Sequence, residues 1–549
     1  MKDLILKHSL INAIEHNGRA NVQAVLGKVI GEKPELRIKI REIVLDIQKI
    51  VREVNSLSPE EQKKKFDELG IVVEKKENIA GLPELPNAVE GRVVMRAAPF
   101  PSGPLHIGNA RTYIVNDEYV KKHNGKLILV IDDTIGSEEK QIVPEAYKMI
   151  EDGLKWLNVK YEKEIVYKSD RLEIYYDYVE KLIKKKKAYV CTCSAEKLRE
   201  NRATGIECEH RKQPVEETLE KWKKMFKMRE GQAVLRIRTD MSHPNPAFRD
   251  RVLFRICERQ HPRVKKKYRV WPMLEFSWAI DDYLLGITHV IRGKELMIET
   301  DMEKYIFDVF NWSYPVFIHM GLLQIEGVKI SKSKGQKEIK EGRYFGWDDP
   351  RTWSLQSLEK RGIRPEAIRK FLVDLGLNQN EITVPIDVLY AENRKIIDPL
   401  ANRYFAVLDP VQIYIKGKIK SAKINMHPDF PQRGQRSIPV KNNKIYVEKE
   451  DLKNFGGKEI GLMNLCSVKL NKKSEVTSKD VKYEIQKIHW VSEPNVKIKL
   501  IMPDGTVKKG LGDPGMKKLK VGDIIQLQRI GFCRVEKIET ERVLYFAHK

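Results

Sequence analysis

Arg92-Val93-Val94-Met95-Arg96, followed by Pro101-Ser102-Gly103-Pro104-Leu105-His106-Ile107-Gly108-Asn109, is the stretch that decides the fold. The first five residues read as an apolar strand, and a helix-like run extends from about Ala110 to His123. A glycine-bearing turn between a strand and a helix N-terminus brings backbone close to a ligand and aims unsatisfied N–H groups at it. A nucleotide fits that description.

Far downstream, Lys329-Ile330-Ser331-Lys332-Ser333 sets two lysines and two serines in a loop, a pattern suited to gripping a polyphosphate as charge develops on it. Taken alone, His106 has a core-histidine reading and the lysine–serine loop a solvated-surface one. Their order and their strand and helix contexts match a split nucleotide-binding sheet. Between them, Leu127-Ile128-Leu129-Val130-Ile131 has the continuous apolar character of a buried parallel strand. It runs into Asp132-Asp133-Thr134, where carboxylates can meet an amine or a ribose, or serve only as a helix cap.

The chain of 549 residues is long enough for about four or five domains. No apolar run reaches membrane-spanning length, and the N-terminus lacks secretory-signal features, so the expected location is cytoplasmic with no membrane partner. A formal net charge of +24, from 101 basic and 77 acidic side chains, favours a polyanionic partner such as nucleic acid. A highly charged surface of the heat-adapted kind would give similar numbers. The runs Lys184 to Lys187 and Lys265 to Lys267 flank an insert-like region and favour a phosphate-tracking face.

The six cysteines do not make a disulfide framework. Cys191, Cys193, Cys208 and His210 form a Cys-x-Cys…Cys-x-His set, three thiolates and an imidazole, which is a tetrahedral zinc complement with a tighter inner spacing than usual. Cys257, Cys466 and Cys533 stand singly and read as buried packing residues.

Ile40, Ile43, Val44, Ile47, Ile50, Val51 and Val54 recur at helical steps, and Ser58 before Pro59 reads as an N-cap. The non-periodic segment from Glu77 to Glu90 reads as a linker. Trp271 to Phe276 and Ile287 to Lys294 read as a return to the nucleotide-binding sheet, and Trp347 to about Gln379 as helical. From about Asp398 the texture is β, with Val411, Ile413 and Ile415, and then Val496, Ile498 and Leu500 before the Pro503-Asp504-Gly505 turn, alternating with polar residues as in barrel strands.

The His106-Ile107-Gly108-Asn109 and Lys329 to Ser333 motifs resemble the HIGH and KMSKS signatures of class I aminoacyl-tRNA synthetases. With Arg96, Ile131 to Thr134, Cys191 through His210, Trp271 through Phe276, Val290 to Lys294 and Trp347 to Arg351, the whole chain resembles the archaeal-type glutamyl-tRNA synthetases of the glutamyl/glutaminyl subfamily. The resemblance implies a multidomain α/β plus β protein. It would comprise a helical N-terminal domain (1–85), a Rossmann-type catalytic domain in two halves (86–188 and 269–335), and an acceptor-stem insert with the zinc set (189–268). A helical stem-contact region (336–392) and two anticodon-binding β-barrels (393–549) would complete it.

It implies a ligase that joins L-glutamate to ATP with Mg²⁺ and passes the glutamyl group to tRNA-Glu, with tRNA-Gln open as a second substrate. Other translation proteins are candidate partners of the N-terminal domain. By this likeness, His106, Lys329 and Lys332 are catalytic. Pro99, Ser102, Gly103, His106, Gly108, Asn109, Lys329, Ser331, Lys332 and Ser333 bind ATP, Gly103 and Gly108 by permitting close approach. Arg96 and Arg292 take glutamate carboxylates through bidentate forks, and Asp132 takes the ammonium. Val130, Ile135 and Leu274 depart from the residues common in relatives, which leaves the side-chain pocket partly unassigned. The rival readings are a glutaminyl-tRNA synthetase, which Arg292 opposes, and a catalytically silent tRNA-binding relative, which the intact motifs oppose.

Overall fold

A computed structural model describes residues 2–15, 18–33, 40–69, 81–137, 141–328, 330–417 and 419–549. The chain divides into two compact units, Met1–Ile79 and Ala80–Lys549. The first packs four helices, Lys2–Glu15 (α1), Val22–Glu32 (α2), Ile40–Asn55 (α3) and Pro59–Glu68 (α4). Ile43, Ile47, Ile50, Val51 and Val54 form the buried stripe of α3, as their spacing requires, and meet Ile5, Leu10, Val25 and Val29. Ser58 caps α4 in a reciprocal capping box with Glu61. Residues 77–80 of the expected linker lie outside the described residues, and 81–90 contain only turns and loop.

The second unit opens with Val94–Ala97 (β1), Ile107–Lys122 (α5), Lys126–Ile131 (β2), Ala146–Trp156 (α6), Val166–Tyr167 (β3) and Leu172–Lys184 (α7). An insert follows, built from Ala188–Cys191 (β4), Ala195–Thr204 (α8), Val215–Met225 (α9), Val234–Ile237 (β5), Val252–Ile256 (β6) and Val270–Pro272 (β7). Its four strands pair antiparallel in sequence order. Trp271 and Pro272 therefore close the insert's sheet and do not return to the central one, as the sequence suggested. A short apolar run identifies a strand, but its pairing partner is set by tertiary contacts.

The return comes through Leu274–Leu284 (α10), His289–Gly293 (β8), Met297–Phe310 (α11) and Val316–Met320 (β9). The central sheet is parallel in the order β3-β2-β1-β8-β9. Its strand order reverses between β1 and β8, so the carboxyl ends of those two strands flank the crevice where such sheets bind ligands. A ribbon of Leu323–Ile325 (β10) with Ile382–Val384 (β11), then Lys332–Lys340 (α12), Leu355–Arg361 (α13), Pro365–Asp374 (α14) and Ile386–Ile397 (α15), extends this body. Helix begins only at Leu355, because residues 347–354 fold as turns and a 3₁₀ segment.

Beyond Asp398 the chain forms two barrel-like sheets, one within the other in sequence. Strands at 402–404 and 406–408 join those at 496–548 in a seven-stranded sheet. Between them, 410–488 supplies a six-stranded sheet with its own core around Ile413, Val447, Val468 and Trp490. Gly505 makes the turn between the strands Val496–Ile501 and Val507–Gly512 at φ 83°. No helix among the described residues is long and apolar enough to cross a membrane.

Candidate functional site

His106 is the N-cap of α5, with extended backbone at φ −122° and ψ 167°. Its Nδ1 accepts the Asn109 backbone N–H at 3.3 Å, and its own N–H donates to Asn109 Oδ1 at 2.8 Å. An imidazole whose Nδ1 accepts carries its proton on Nε2. Burial first, and then nearby Lys332, pull the His106 pKa down to about 3, so the ring is neutral. It can offer an N–H donor to a phosphate oxygen but no positive charge.

The two motif glycines make room for protein rather than only for ligand. A Cβ on Gly108 would lie 3.2 Å from the His106 ring, and one on Gly103, held at φ 149°, would lie 3.0 Å from the Trp347 indole. Trp347 also abuts Gly335 of α12, where a Cβ would stand 3.1 Å away. One indole therefore seats the glycine loop against α12, whose first two residues are Lys332 and Ser333 with Ser331 as N-cap, so this part of the second motif opens a helix and is not the loop its sequence suggested.

A cavity of about 520 Å³ lies at the sheet's carboxyl edge. Ser102, His106, Asn109, Asp132, Ser331, Lys332 and Ser333 all line it, together with Phe100, Tyr113 and Trp278. An adjoining cavity of about 430 Å³ is lined by His106, Gly108 and Asn109 from α5 and by Gly321, Leu323 and Ile330. The crevice thus gathers the two distant motifs. Lys329 lies outside the described residues. Pro99 lines neither cavity, and its carbonyl accepts the Asp132 N–H at 3.0 Å.

Arg96 and Arg292 project from β1 and β8 but do not form the wall of either cavity. Arg96 is locked on Asp282 of α10 through Nε and Nη2, the latter at 3.0 Å from Oδ2. Arg292 donates to Glu303 at 2.7 Å and to Thr300 at 2.6 Å, both on α11. Asp132 accepts from Thr134 at 3.2 Å and lies 3.4 Å from the buried Lys168 ammonium, which also donates to Ser277 at 2.9 Å. Burial pulls the Lys168 pKa below the ordinary lysine value despite Asp132. Burial likewise pushes the Glu303 carboxyl up to about 7, although Arg292 opposes the shift.

Lys168, Asp282, Glu303 and Trp278 were not anticipated from sequence. Lys168 directly follows a strand end, where α/β sheets present functional groups, and that position was the available signal. Neighbouring Asp133 is internal, accepting from Ser169 and Tyr147.

In the insert, the ligand atoms of Cys191, Cys193, Cys208 and His210 all fall within 4.8 Å of one another. Cys208 Sγ stands 3.6 and 3.3 Å from the other two sulfurs and 3.1 Å from His210 Nδ1. Thr192 Oγ1 meets His210 Nε2 at 2.9 Å, which leaves Nδ1 to face the thiols. Cys257, Cys466 and Cys533 are buried, as expected.

A parallel sheet whose order reverses at β1 and β8, with a glycine turn entering α5 and with Ser331, Lys332 and Ser333 lining the same cavity, is the arrangement of a nucleotide-binding domain. Residues 92–399 match the family described as tRNA synthetases class I (E and Q), catalytic domain. Residues 401–488 and 487–536 match two anticodon-binding domains of the same group. The chain belongs to this glutamyl/glutaminyl class I synthetase family. It is 48% identical to a glutamate–tRNA ligase of Pyrococcus abyssi, over 100% of this chain and 99% of that one. It is also 48% identical to a glutamate–tRNA ligase of Pyrococcus furiosus, over 100% of both. Among solved structures, a glutamate–tRNA synthetase from Elizabethkingia anophelis aligns at 21% identity and a TM-score of 0.40, covering 57% of this chain and 72% of that one.

Proposed function

We propose that this protein is a glutamate–tRNA ligase that activates L-glutamate with ATP and charges tRNA-Glu in the cytoplasm. The observation that carries the reading is the convergence of His106, Ser331, Lys332 and Asp132 on one cavity at the switch point, with Arg96 and Arg292 close beside it. The full-length likeness to two glutamate–tRNA ligases supports it.

In the first step a glutamate carboxylate oxygen attacks the α-phosphorus of ATP and pyrophosphate leaves. In the second, a hydroxyl of the terminal tRNA ribose attacks the adenylate carbonyl and AMP leaves. The Nε2–H of His106 is assigned as a donor to the α-phosphate, and Lys332 is assigned the positive charge that a neutral imidazole lacks. Lys329 is assigned to the phosphates with it, and Mg²⁺ accompanies ATP. Ser102, Asn109, Ser331 and Ser333, which line the cavity, are assigned to the nucleotide, as are Gly103 and Gly108, which pack against Trp347 and His106. Arg96, Arg292 and Asp132 are assigned to glutamate.

Cys191, Cys193, Cys208 and His210 would hold a structural zinc. Three sulfurs and one nitrogen already grouped at metal-ligand spacing fit that ion, which would rigidify the insert. The two C-terminal barrel-like sheets are assigned to the anticodon, and the N-terminal helical unit to contacts with other translation proteins. The deciding experiment is aminoacylation of purified tRNA-Glu and tRNA-Gln, each with glutamate and with glutamine. Charging of tRNA-Glu by glutamate is the expected result. Exclusive use of glutamine, or no ATP–pyrophosphate exchange with tRNA present, would refute the reading.

A further inference from the structure

Three buried cations converge on one indole. The charged groups of Arg96, Lys168 and Arg292 lie 4.9, 4.9 and 5.2 Å from the Trp278 ring centroid. Each cation also holds a protein carboxylate, Asp282, Asp132 and Glu303 respectively. Each cation of the cluster is therefore engaged internally.

Trp278, and neither arginine, forms the wall of the 520 Å³ cavity that also contains Asp132. The ring thus touches the cavity with one part and lies 5.2 Å by its centroid from the Arg292 guanidinium. Its resting position is under-satisfied. Trp278 Nε1, Arg292 Nε and Glu303 Oε2 are all buried without a hydrogen-bond partner. Buried orphan donors and acceptors are rare in stable packing and call for an explanation. A position that strands polar atoms on the ring, on the arginine behind it and on that arginine's partner is one that a ligand can tip.

We propose that Trp278 gates the amino-acid pocket: its indole leaves the arginine pair to admit a substrate carboxylate to Arg292, and covers the pair otherwise. The gate rests on the reading that the chain activates glutamate. The covered state must open before binding, so the apparent affinity for glutamate is reduced by the fraction of molecules that are open. Cation–π contacts with three cations hold the ring shut. Entry of the carboxylate replaces them with a charge-assisted pair and satisfies Arg292 Nε.

The test is the KM for L-glutamate in aminoacylation at saturating ATP and tRNA-Glu, for wild type, Trp278→Val and Trp278→Phe. Valine removes the cover, so its glutamate KM should fall by roughly fivefold or more while the KM for ATP stays within about twofold. Phenylalanine keeps a ring over the cations and should lie between valine and wild type. A valine variant with an unchanged or raised glutamate KM would overturn the gate. If the valine variant does not fold, tryptophan fluorescence of wild type and Trp278→Phe is compared during titration with L-glutamate in the presence of tRNA. A saturable wild-type change that is missing in the phenylalanine variant supports ring movement, and identical responses overturn it. Wild-type protein that charges no tRNA with glutamate overturns the functional reading and the gate with it. Normal charging with an unmoved KM in the valine variant overturns the gate alone.

Discussion

His106 and Asn109 cap one another: the imidazole Nδ1 accepts the Asn109 backbone N–H at 3.3 Å, and the Asn109 amide oxygen accepts the His106 N–H at 2.8 Å. This exchange fixes the histidine tautomer, and burial with Lys332 nearby keeps the ring neutral above about pH 3. His106 therefore acts as a donor and does not titrate near neutrality. Asparagine is also a good N-cap, so His106→Asn should keep the helix start but lose the Nε2–H. Adenylate formation should drop roughly a hundredfold, by the same factor at pH 6 and at pH 8. A ratio that changes across pH 6.5 would show that the imidazole titrates there.

Lys332 faces the same cavity and carries the charge that His106 lacks. On the proposed reading its contribution belongs to the transition state, where negative charge grows on the transferring phosphate. Lys332→Ala should cut adenylate formation by roughly a hundredfold or more and change ATP affinity little. Near-normal turnover in single-turnover assays would remove Lys332 from the catalytic set.

Glu303 gives a stability signal with a definite sign. Its carboxyl is pushed up to about 7 in the folded state from an ordinary 4.5, with burial the leading cause. The unfolded chain releases this proton first as pH rises, so the contribution is fully present below pH 4.5 and is lost as pH rises through about 7. Glu303→Gln abolishes the titration. Unfolding at pH 5 and pH 8 should show wild type losing stability relative to the variant as pH rises, and a constant difference would place the Glu303 pKa near its ordinary value.

The cysteine set is already grouped for a metal, and Thr192 orients His210 from behind. Cys208→Ser should abolish zinc binding and weaken acceptor-stem docking before it affects ATP binding. Thr192→Val should keep the metal with an affinity lower by roughly tenfold to a hundredfold. Metal analysis of protein purified without chelator is the check, and an absence of zinc there would leave the thiols as packing residues.

Much of this was legible in the sequence because local chemistry decided it. The α3 stripe, the Ser58 cap and the strand-to-helix turn at His106 each follow from spacing within a few residues. What escaped was set by tertiary neighbours. Nothing local shows that Val270–Pro272 pairs with the insert, or that the strands at 402–408 join those beyond Val496 across an intervening barrel-like sheet. Arg96 and Arg292 were read from sequence as forks for the carboxylates of glutamate. That their nearest carboxylates would be Asp282 and Glu303 was not, because those residues lie 186 and 11 positions away on helices whose packing the sequence does not print.

Amino-acid choice should still turn on Arg292, and the structure changes how that must be tested. Its guanidinium is held by Thr300 and Glu303, so Arg292→Cys removes the proposed carboxylate receptor and also strands Glu303 in a buried site. Loss of one partner of a buried pair destabilises by roughly 3 to 5 kcal/mol, enough to imitate a catalytic defect. The double variant Arg292→Cys/Glu303→Gln separates the two effects, because a neutral amide replaces the orphaned acid. Its melting temperature should recover toward wild type. Its kcat/KM for glutamate should remain roughly a hundredfold or more below wild type, since no fork is left for the side-chain carboxylate. Discrimination against glutamine should narrow in the same variant, because the element that favours a carboxylate over an amide has gone. If the double variant regained wild-type glutamate use along with its stability, Arg292 would be a structural ion-pair residue, and selectivity would have to reside in Arg96.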